Sequence, residues 1–439
     1  MIRVAHFSDL HYAGATLVEV DRCFSFAVDA AIARGVDCAV ISGDSTDHAL
    51  EVHAPAVEAL ARNIRRLADH CPVLMLQGTF SHEPPGALNV FRLLGGRFRV
   101  HVADRLQQVA LVEDGHWLES EGWRFEQIPQ GTRALFSCVP TVNKAIVAAA
   151  VDANEAAAAV GDQLTALLNG YAPINEAARA AGVPTIGVSH GTVYGCVTEH
   201  GVPMAGFDHE FTTGSLFGAG AQAFLLGHIH RHQSWEQADR AIAYAGSIGR
   251  LHYGEQGDKG FLIWDVAAAS VRFELIATPA RRTLEITFDG MPKLDELQQF
   301  VRTNDVAGAF VRVRWTMPEE DRHAVDRSAI EGIFGVAAEV KLEGRVIPVV
   351  RTRAAGISQQ STLAAKIAVW ARLTEARAEP LLGCLEALQT RAPEEIAVNI
   401  MEGAIEAQGA IPAAAEASVD ASAGMTADAE GLPVFVEAA

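Results

Sequence analysis

The chain has 439 residues, of which 49% are hydrophobic and 20% are charged, so it can bury a sizeable core and suits two folded units plus further segments. Its formal net charge of -19 excludes a generally basic surface for coating nucleic acid, although bound cations would change the field locally. Six cysteines without a C-x-x-C pair indicate free thiols in a reducing compartment. Neither a signal-peptide pattern nor a bilayer-spanning apolar run is visible, so we expect a cytoplasmic protein without membrane attachment.

The first part of the chain alternates strand and helix patterns. Strand patterns at 2–8, 37–42 and 72–77 are separated by amphipathic helix patterns at 17–34 and 54–70. Such βαβαβ order favours a largely parallel, buried sheet. Each strand pattern ends in a polar loop that contains glycine, and ligands of α/β sheets bind at the carboxyl ends of strands.

A second set of strands follows an Ala-rich helical stretch. Shorter strand signals occupy about 97–140 and the helical pattern covers 143–181. Further strand patterns lie at 184–190, 221–230, 241–246 and 260–266. We therefore predict an α/β (α+β) fold in which two packed mixed β-sheets are flanked by helices.

The pattern changes near residue 280. A β-α-β-α-β order predicts a small α+β domain, two or three helices follow, and the Ala-rich, acidic end has no periodicity and is predicted to be disordered. The predicted domains are 1–279, 280–350, 360–407 and a tail at 408–439.

Five loops place metal-binding residue types directly after predicted strands. Taken singly, each has an ordinary structural explanation, such as a turn residue, a helix N-cap or a surface histidine. In chain order the loops supply Asp9 and His11, Asp44 with Asp47 nearby, His82, His190, and the pair His228 and His230.

Together these loops favour a metal centre. Imidazole and carboxylate groups suit Mn, Fe or Zn, and the lack of thiols near them argues against a cysteine-type zinc site. Two such ions about 3.5–4 Å apart clamp a phosphate and hold a hydroxide between them. His228 and His230 alternate after an apolar strand pattern, which predicts that both point to the same face.

The ordered set D-x-H, G-D, S-H-E, H and G-H-x-H resembles the calcineurin-like metallophosphoesterase family over roughly residues 1–270. Within that family the sequence is most similar to the SbcD-type DNA repair exonuclease subunits. This similarity rests on Asp47 after the G-D pair, on Tyr244-Ala-Gly-Ser247 and on the closing strand GFLIWDV. The region after 280 resembles the capping domain and partner-binding tail of that subgroup.

The resemblance implies a role for each loop. It assigns Asp9, His11 and His230 to a first metal, His190 and His228 to a second, and Asp44 as the bridge between them. A bridging hydroxide would attack phosphorus, and His82 would act as general acid on the leaving oxygen. Asp47 would orient a ligating histidine. We expect two divalent ions, with Mn as the working metal and Fe, Zn or Mg as alternatives.

One position departs from the family pattern. The family has an Asn before the histidine of the third loop, and its amide oxygen binds the second metal. Here Ser81 holds that place when counted back from His82, whereas Thr79 holds it when counted forward from Gly78. We place Ser81 ahead of Thr79 as the ligand and expect a loosely held second metal.

The function implied is a metal-dependent DNA exonuclease with DNA as substrate. Its expected partner is an SbcC-type coiled-coil ATPase docked on the helices at 360–407, and homodimerisation through the first helices is also implied. One alternative is a phosphodiesterase or phosphatase for nucleotides or other small phosphoesters, which the net charge and the altered Asn position favour. Another is a catalytically weak scaffold subunit for an ATPase–DNA complex.

Overall fold

The protein is described by a computed structural model, which divides the chain into two compact units, Met1–Pro348 and Val349–Ala439. The described residues are 1–94, 96–141, 153–198, 201–202, 211–253, 255, 257–348 and 356–409, with the backbone alone at 153–160 and 403–409.

Thirteen of the described strands build the first part of the larger unit. They are β1 (Ile2–Phe7), β2 (Cys38–Ile41), β3 (Val73–Leu76), β4 (Val100–Ala103), β5 (Gln107–Val112), β6 (Trp117–Glu119), β7 (Thr132–Val139), β8 (Thr185–His190), β9 (Ala223–Gly227), β10 (Gln233–Gln237), β11 (Arg240–Tyr244), β12 (Gly260–Ala267) and β13 (Ser270–Ala277). The helices are α1 (Leu17–Ala33), α2 (Pro55–His70), α3 (Ala153–Ala180) and α4 (Thr213–Gly218), with a 3-10 helix at Ala87–Leu93.

These strands form two mixed sheets. The first has the order β13-β12-β1-β2-β3-β4 and the second has the order β10-β11-β9-β8-β7-β5-β6. In the first sheet β1 to β4 are parallel, whereas β12 is antiparallel to both β1 and β13. The predicted βαβαβ order and its parallel sheet are therefore confirmed.

Side-chain alternation along the strands explains the layers. On β1, Val4 packs into the core between the two sheets, whereas Phe7 packs outward against α1 and α2. The outer face of the second sheet packs against α3 and α4 through residues such as Leu168 and Leu216. The predicted fold class, two packed mixed sheets flanked by helices, is confirmed.

A three-stranded sheet follows within the same unit. Its elements are β14 (Thr283–Asp289), α5 (Leu294–Thr303), β15 (Phe310–Pro318), α6 (Arg327–Ile333) and β16 (Glu339–Ile347). The sheet is parallel with the order β14-β15-β16, and both crossover helices pack on it around Leu297, Trp315 and Phe334. The secondary structure thus follows the expected β-α-β-α-β order, and we call residues 283–347 the three-stranded module.

The smaller unit contains α7 (Leu363–Leu373), α8 (Ala378–Thr390) and α9 (Pro393–Gly409). The predicted tail lies outside the described residues from position 410 onward, and so does the beginning of the predicted helix at 143–181. Among the residues described, no helix is both long and apolar enough to cross a bilayer. All six cysteines are described and are free thiols, five of them buried.

Candidate metal centre

The loops after β1, β2 and β9 adopt an uncommon backbone conformation. Asp9, His11 and Asp44 have φ near +50°, and His228 has φ of +104°. Positive φ is rare for residues other than glycine and costs free energy, and such strain gathers at functional sites. The backbone N–H of Asp9 donates to Gly43 O at 3.1 Å and that of His11 donates to Asp44 O at 3.0 Å. These bonds tie the first loop to the second.

Two glycines are required by close packing around these loops. A Cβ on Gly43, whose φ is +105°, would lie 2.3 Å from His190 Nδ1. A Cβ on Gly78 would lie 2.3 Å from the backbone nitrogen of Asp44. Any side chain at either position would displace the neighbouring loop, which explains the glycine in the G-D and Q-G-T segments.

One edge of the paired sheets brings together Asp9, His11 and His230, which we call the first cluster. Their ligand atoms lie within 4.8 Å of one another. His11 Nε2 lies 3.1 Å from His230 Nε2 and 4.0 Å from Asp9 Oδ1. Asp9 is also fixed by its own neighbours, because its carboxylate accepts from Ser8 Oγ at 2.6 Å and from His228 N at 3.0 Å.

The second cluster consists of Asp44, His190 and His228, again with ligand atoms within 4.8 Å. His190 Nε2 lies 3.2 Å from Asp44 Oδ2, and the same oxygen lies 3.9 Å from His11 Nε2 of the first cluster. Asp44 therefore stands between the two clusters. The predicted position of the bridging carboxylate agrees with this placement, while its role as a ligand stays a prediction.

Both ring nitrogens of His190 lie against oxygen atoms. Its Nδ1 lies 2.8 Å from the carbonyl oxygen of Ser42, which can only accept, so Nδ1 carries the proton. Nε2 lies 3.2 Å from the Asp44 carboxylate, so without a metal ion it holds a proton as well, and a divalent cation would take the place of that proton. Burial lowers the pKa of His190, but Asp44 outweighs burial and raises it to about 10. Divalent cations would satisfy these groups, so the residues present fit a two-metal site.

Burial acts differently on His228 and Asp44. Desolvation lowers the pKa of His228 to about 4, which keeps its imidazole neutral and able to bind metal. Burial alone would raise the pKa of Asp44, but neighbouring His190 and His11 hold it well below its usual range. Asp44 is therefore ionised, as a metal ligand must be.

The geometry separates the two candidates for the family's Asn position. The Thr79 hydroxyl lies 3.1 Å from Asp44 Oδ2 and 3.2 Å from His190 Nε2, directly at the second cluster. Ser81 lies in the following turn and is exposed. The prediction of Ser81 as a ligand is therefore less favoured by the structure than the alternative, Thr79.

His82 and Asp47 lie at the mouth of the site. The His82 ring meets the His11 ring edge-to-face at 4.8 Å between centroids, and its side chain is 24% exposed. His82 Nδ1 donates to the backbone carbonyl of Asp47. The Asp47 carboxylate lies 3.5 Å from His11 Nδ1, and this contact, ahead of the opposing effect of burial, lowers its pKa. Asp47 thus lies beside His11, and its role in orienting that ring stays a prediction.

Three further residues support the site, although the sequence assigned them no role in it. Glu83 is fully buried and accepts from the backbone N–H groups of Ser45 at 2.5 Å and Gly78 at 2.6 Å, so it braces the second and third loops. Burial raises its pKa to about 7. Its position after the Ser-His pair was visible in the sequence, but its inward direction was not.

The other two missed residues, Glu255 and Lys259, support His230. Glu255 Oε1 lies 3.4 Å from His230 Nδ1, and Glu255 pairs with Lys259 Nζ at 2.6 Å. Burial lowers the pKa of His230, but Glu255 outweighs it and the net pKa is raised. Lys259 Nζ also donates to His230 O at 2.8 Å. No local motif marks this pair, because the contact depends on the folded loop.

The strand prediction for His228 and His230 was wrong in one respect. β9 ends at Gly227, so both histidines lie in a loop and the positive φ of His228 turns the chain. They consequently serve different clusters, although both line one cleft of about 370 Å³.

Comparison with known proteins gives one sequence match and several distant structural ones. No family model matches the chain. An uncharacterised metallophosphoesterase of Bacillus subtilis, YhaO, is 33% identical over 89 residues, which are 20% of this chain and 20% of that protein. The chain thus matches about a fifth of the length of this curated relative, and the match supports a relationship to the metallophosphoesterases.

The solved structures are more distant. The protein GAP50 of the Plasmodium inner membrane complex has 13% identity and a TM-score of 0.37, over 69% of this chain and 95% of its own. A dimetal phosphatase from Danio rerio has 10% identity and a TM-score of 0.34, over 62% and 98%. A predicted phosphoesterase from Streptococcus pneumoniae has 11% identity and a TM-score of 0.21, over 63% and 98%.

Proposed function

We propose that this protein is a divalent-metal-dependent phosphodiesterase that acts on DNA, a nuclease of the SbcD type. The observation that carries the proposal is the position of Asp44, whose carboxylate lies between two Asp/His clusters at the base of an open cleft. The YhaO match supports the coarser conclusion that the protein is a phosphoesterase.

The first cluster would hold one divalent cation and the second cluster the other, with Asp44 and the Thr79 hydroxyl at the second position. When bound, two such cations polarise a phosphate and supply a hydroxide nucleophile from water. The chain itself fixes the ligands before substrate arrives, because Glu83 braces the loops and Asp9 is anchored by backbone and hydroxyl donors. Mn²⁺ is the proposed working metal.

His82 is the proposed general acid. Because Nδ1 donates to the Asp47 carbonyl, Nε2 is the nitrogen that gains or loses a proton. The ring lies beside His11 at the cleft and remains partly exposed, so a leaving oxygen in the cleft can receive that proton. General-acid catalysis of this kind contributes about 10²–10⁴-fold in rate.

The substrate can be tested directly. Purified protein with Mn²⁺ is expected to degrade linear DNA, and His82→Ala is expected to slow this about 10²–10⁴-fold while leaving metal content intact. Hydrolysis of bis(p-nitrophenyl) phosphate reports the metal centre independently of DNA. A protein that cleaves this ester and small nucleotide esters but no DNA would support the alternative, a small-molecule phosphodiesterase. The net charge of -19 motivates that alternative.

We also propose a partner ATPase of the SbcC type and a homodimer. Large apolar side chains are exposed in the smaller unit, including Leu363 at 55% and Leu388 at 69%. Val18 on α1 is 74% exposed. Such exposed apolar groups support protein–protein contacts. A protein that cuts DNA only after the ATPase is added would support the partner proposal. A protein that cuts nothing even with the ATPase would favour the scaffold alternative.

A further inference from the structure

A second cavity lies beside the metal cleft, where the loop after β11 meets the three-stranded module. This junction cavity measures about 210 Å³ and is bounded by Arg250, Tyr253 and Arg281 together with Phe310 and Glu339 of the module. It shares three lining residues with the metal cleft, Thr16, Leu251 and His252. The two cavities are therefore direct neighbours.

Two charged groups of the junction cavity, Arg281 and Glu339, already contact other side chains. Arg281 Nε lies 3.2 Å from Glu19 Oε2, and Glu339 Oε1 accepts from the Tyr253 hydroxyl at 2.6 Å. The terminal nitrogens of Arg250 donate to the carbonyls of Arg281 and Gly257. The carboxylates of Glu19 and Glu339 also line the cavity and would repel a second phosphate, so the cavity disfavours an anion.

Two aromatic side chains, Tyr253 and Phe310, line the junction cavity. Tyr253 and Phe310 meet edge-to-face with 5.7 Å between ring centroids, and Arg281 Cζ lies 5.4 Å from the Phe310 centroid. Both rings are only half-buried. Aromatic rings and guanidinium planes of this kind are the surfaces on which nucleobases stack. Among the described residues, Arg250 Nε is buried without a hydrogen bond, so this N–H can donate to a ligand.

We propose that the junction cavity binds a single nucleobase of the nucleotide whose phosphate lies at the metal centre. This inference rests on the proposed function, because the metal-bound phosphate anchors the nucleotide. A volume of about 210 Å³ is below the roughly 300–1,000 Å³ of pockets for drug-sized ligands, so it suits one ring system. A base pair exceeds this volume, so the proposal places an unpaired nucleotide at the site.

Calorimetric binding to the Mn²⁺-loaded protein tests the proposal with two probes, deoxyadenosine 5′-monophosphate and deoxyribose 5-phosphate, which differ only in the base. We expect the wild type to bind the nucleotide about tenfold more tightly, as stacking on an aromatic side chain predicts. In Phe310→Ala the nucleotide should bind only as tightly as deoxyribose 5-phosphate, whose own affinity should not change.

Two conservative variants keep the test informative. Tyr253→Phe retains the ring and should preserve the tenfold preference, and Phe310→Leu retains bulk and should lose it. Equal binding of both probes by the wild type overturns the proposal, whatever the protein does to DNA. A clear preference for the nucleotide in a protein that cuts no DNA leaves this site standing and removes the nuclease proposal instead.

Discussion

The two clusters of the candidate metal centre differ in the groups that face the Nδ1 atoms of their histidines. In the first cluster, carboxylates face the Nδ1 atoms of His11 and His230, from Asp47 and Glu255. In the second cluster, His190 Nδ1 faces the neutral carbonyl of Ser42. A carboxylate behind an imidazole raises its basicity and strengthens its metal bond. The first cluster should therefore bind its cation more tightly than the second.

The fourth contributor sharpens the contrast. The second cluster has the Thr79 hydroxyl where the family that the sequence resembles has an amide oxygen, and the hydroxyl is the weaker ligand. Asp44 belongs to the second cluster, and its Oδ2 also lies 3.9 Å from His11 Nε2 of the first. The difference implies stepwise loading, with the first site filled at lower metal concentration and the second filled only at higher concentration.

The largest effect is expected from removing the charge of Asp44, which lies between the two clusters. Asp44→Asn keeps the size of the side chain and an oxygen to accept from Thr79 N, but it removes the charge between the clusters. We expect loss of metal at both sites and a fall in bis(p-nitrophenyl) phosphate hydrolysis of more than about a thousandfold. Asp114→Asn, at an exposed turn, is the matched control and should change neither quantity.

Removing the proposed general acid, His82, should leave metal binding at both clusters unchanged. His82→Ala is expected to lower kcat for DNA by about 10²–10⁴-fold with both metals still bound. Atomic emission measures the metal content, and the release of single-stranded product from DNA gives kcat. His116→Ala removes an exposed histidine elsewhere and should be silent. Metal loss in His82→Ala would instead identify this histidine as a ligand.

Glu255→Gln should reduce the difference in metal affinity between the two clusters, because it weakens the first cluster. It removes the charge behind His230 and leaves Lys259 buried beside a neutral amide. We expect metal affinity of the tighter site to fall about 10–100-fold, with little change at the weaker site. A two-site Mn²⁺ titration checks this, and Glu236→Gln on the surface serves as control. An equal loss at both sites would contradict the assignment of Glu255 to the first cluster.

Thr79→Val tests the second cluster and should have the smallest effect of the four variants. It preserves shape but removes the hydroxyl that lies against Asp44 and His190. Affinity of the weaker site should fall several-fold, consistent with loss of one neutral oxygen contact of roughly 1 kcal/mol. Ser81→Ala in the adjacent turn should leave both affinities unchanged. The reverse outcome would restore Ser81 as the ligand.

Strand periodicity and loop composition predicted the two sheets and the five loops that deliver Asp and His, because each motif directly follows a buried strand. They did not separate Thr79 from Ser81. Only the folded turn, in which the N–H groups of His82 and Glu83 both donate to Thr79 O, directs one hydroxyl inward. Glu255 was missed for a similar reason, since its contact with His230 spans 25 positions and depends on the fold.

The metal stoichiometry tests the two-cluster account most directly. Wild-type protein dialysed against increasing Mn²⁺ should bind two ions per chain in two distinguishable steps. His190→Ala should retain the tighter ion alone, and Asp44→Asn should bind neither ion tightly. A single ion per chain in the wild type, or two ions undiminished in Asp44→Asn, would contradict a shared carboxylate between two metal sites.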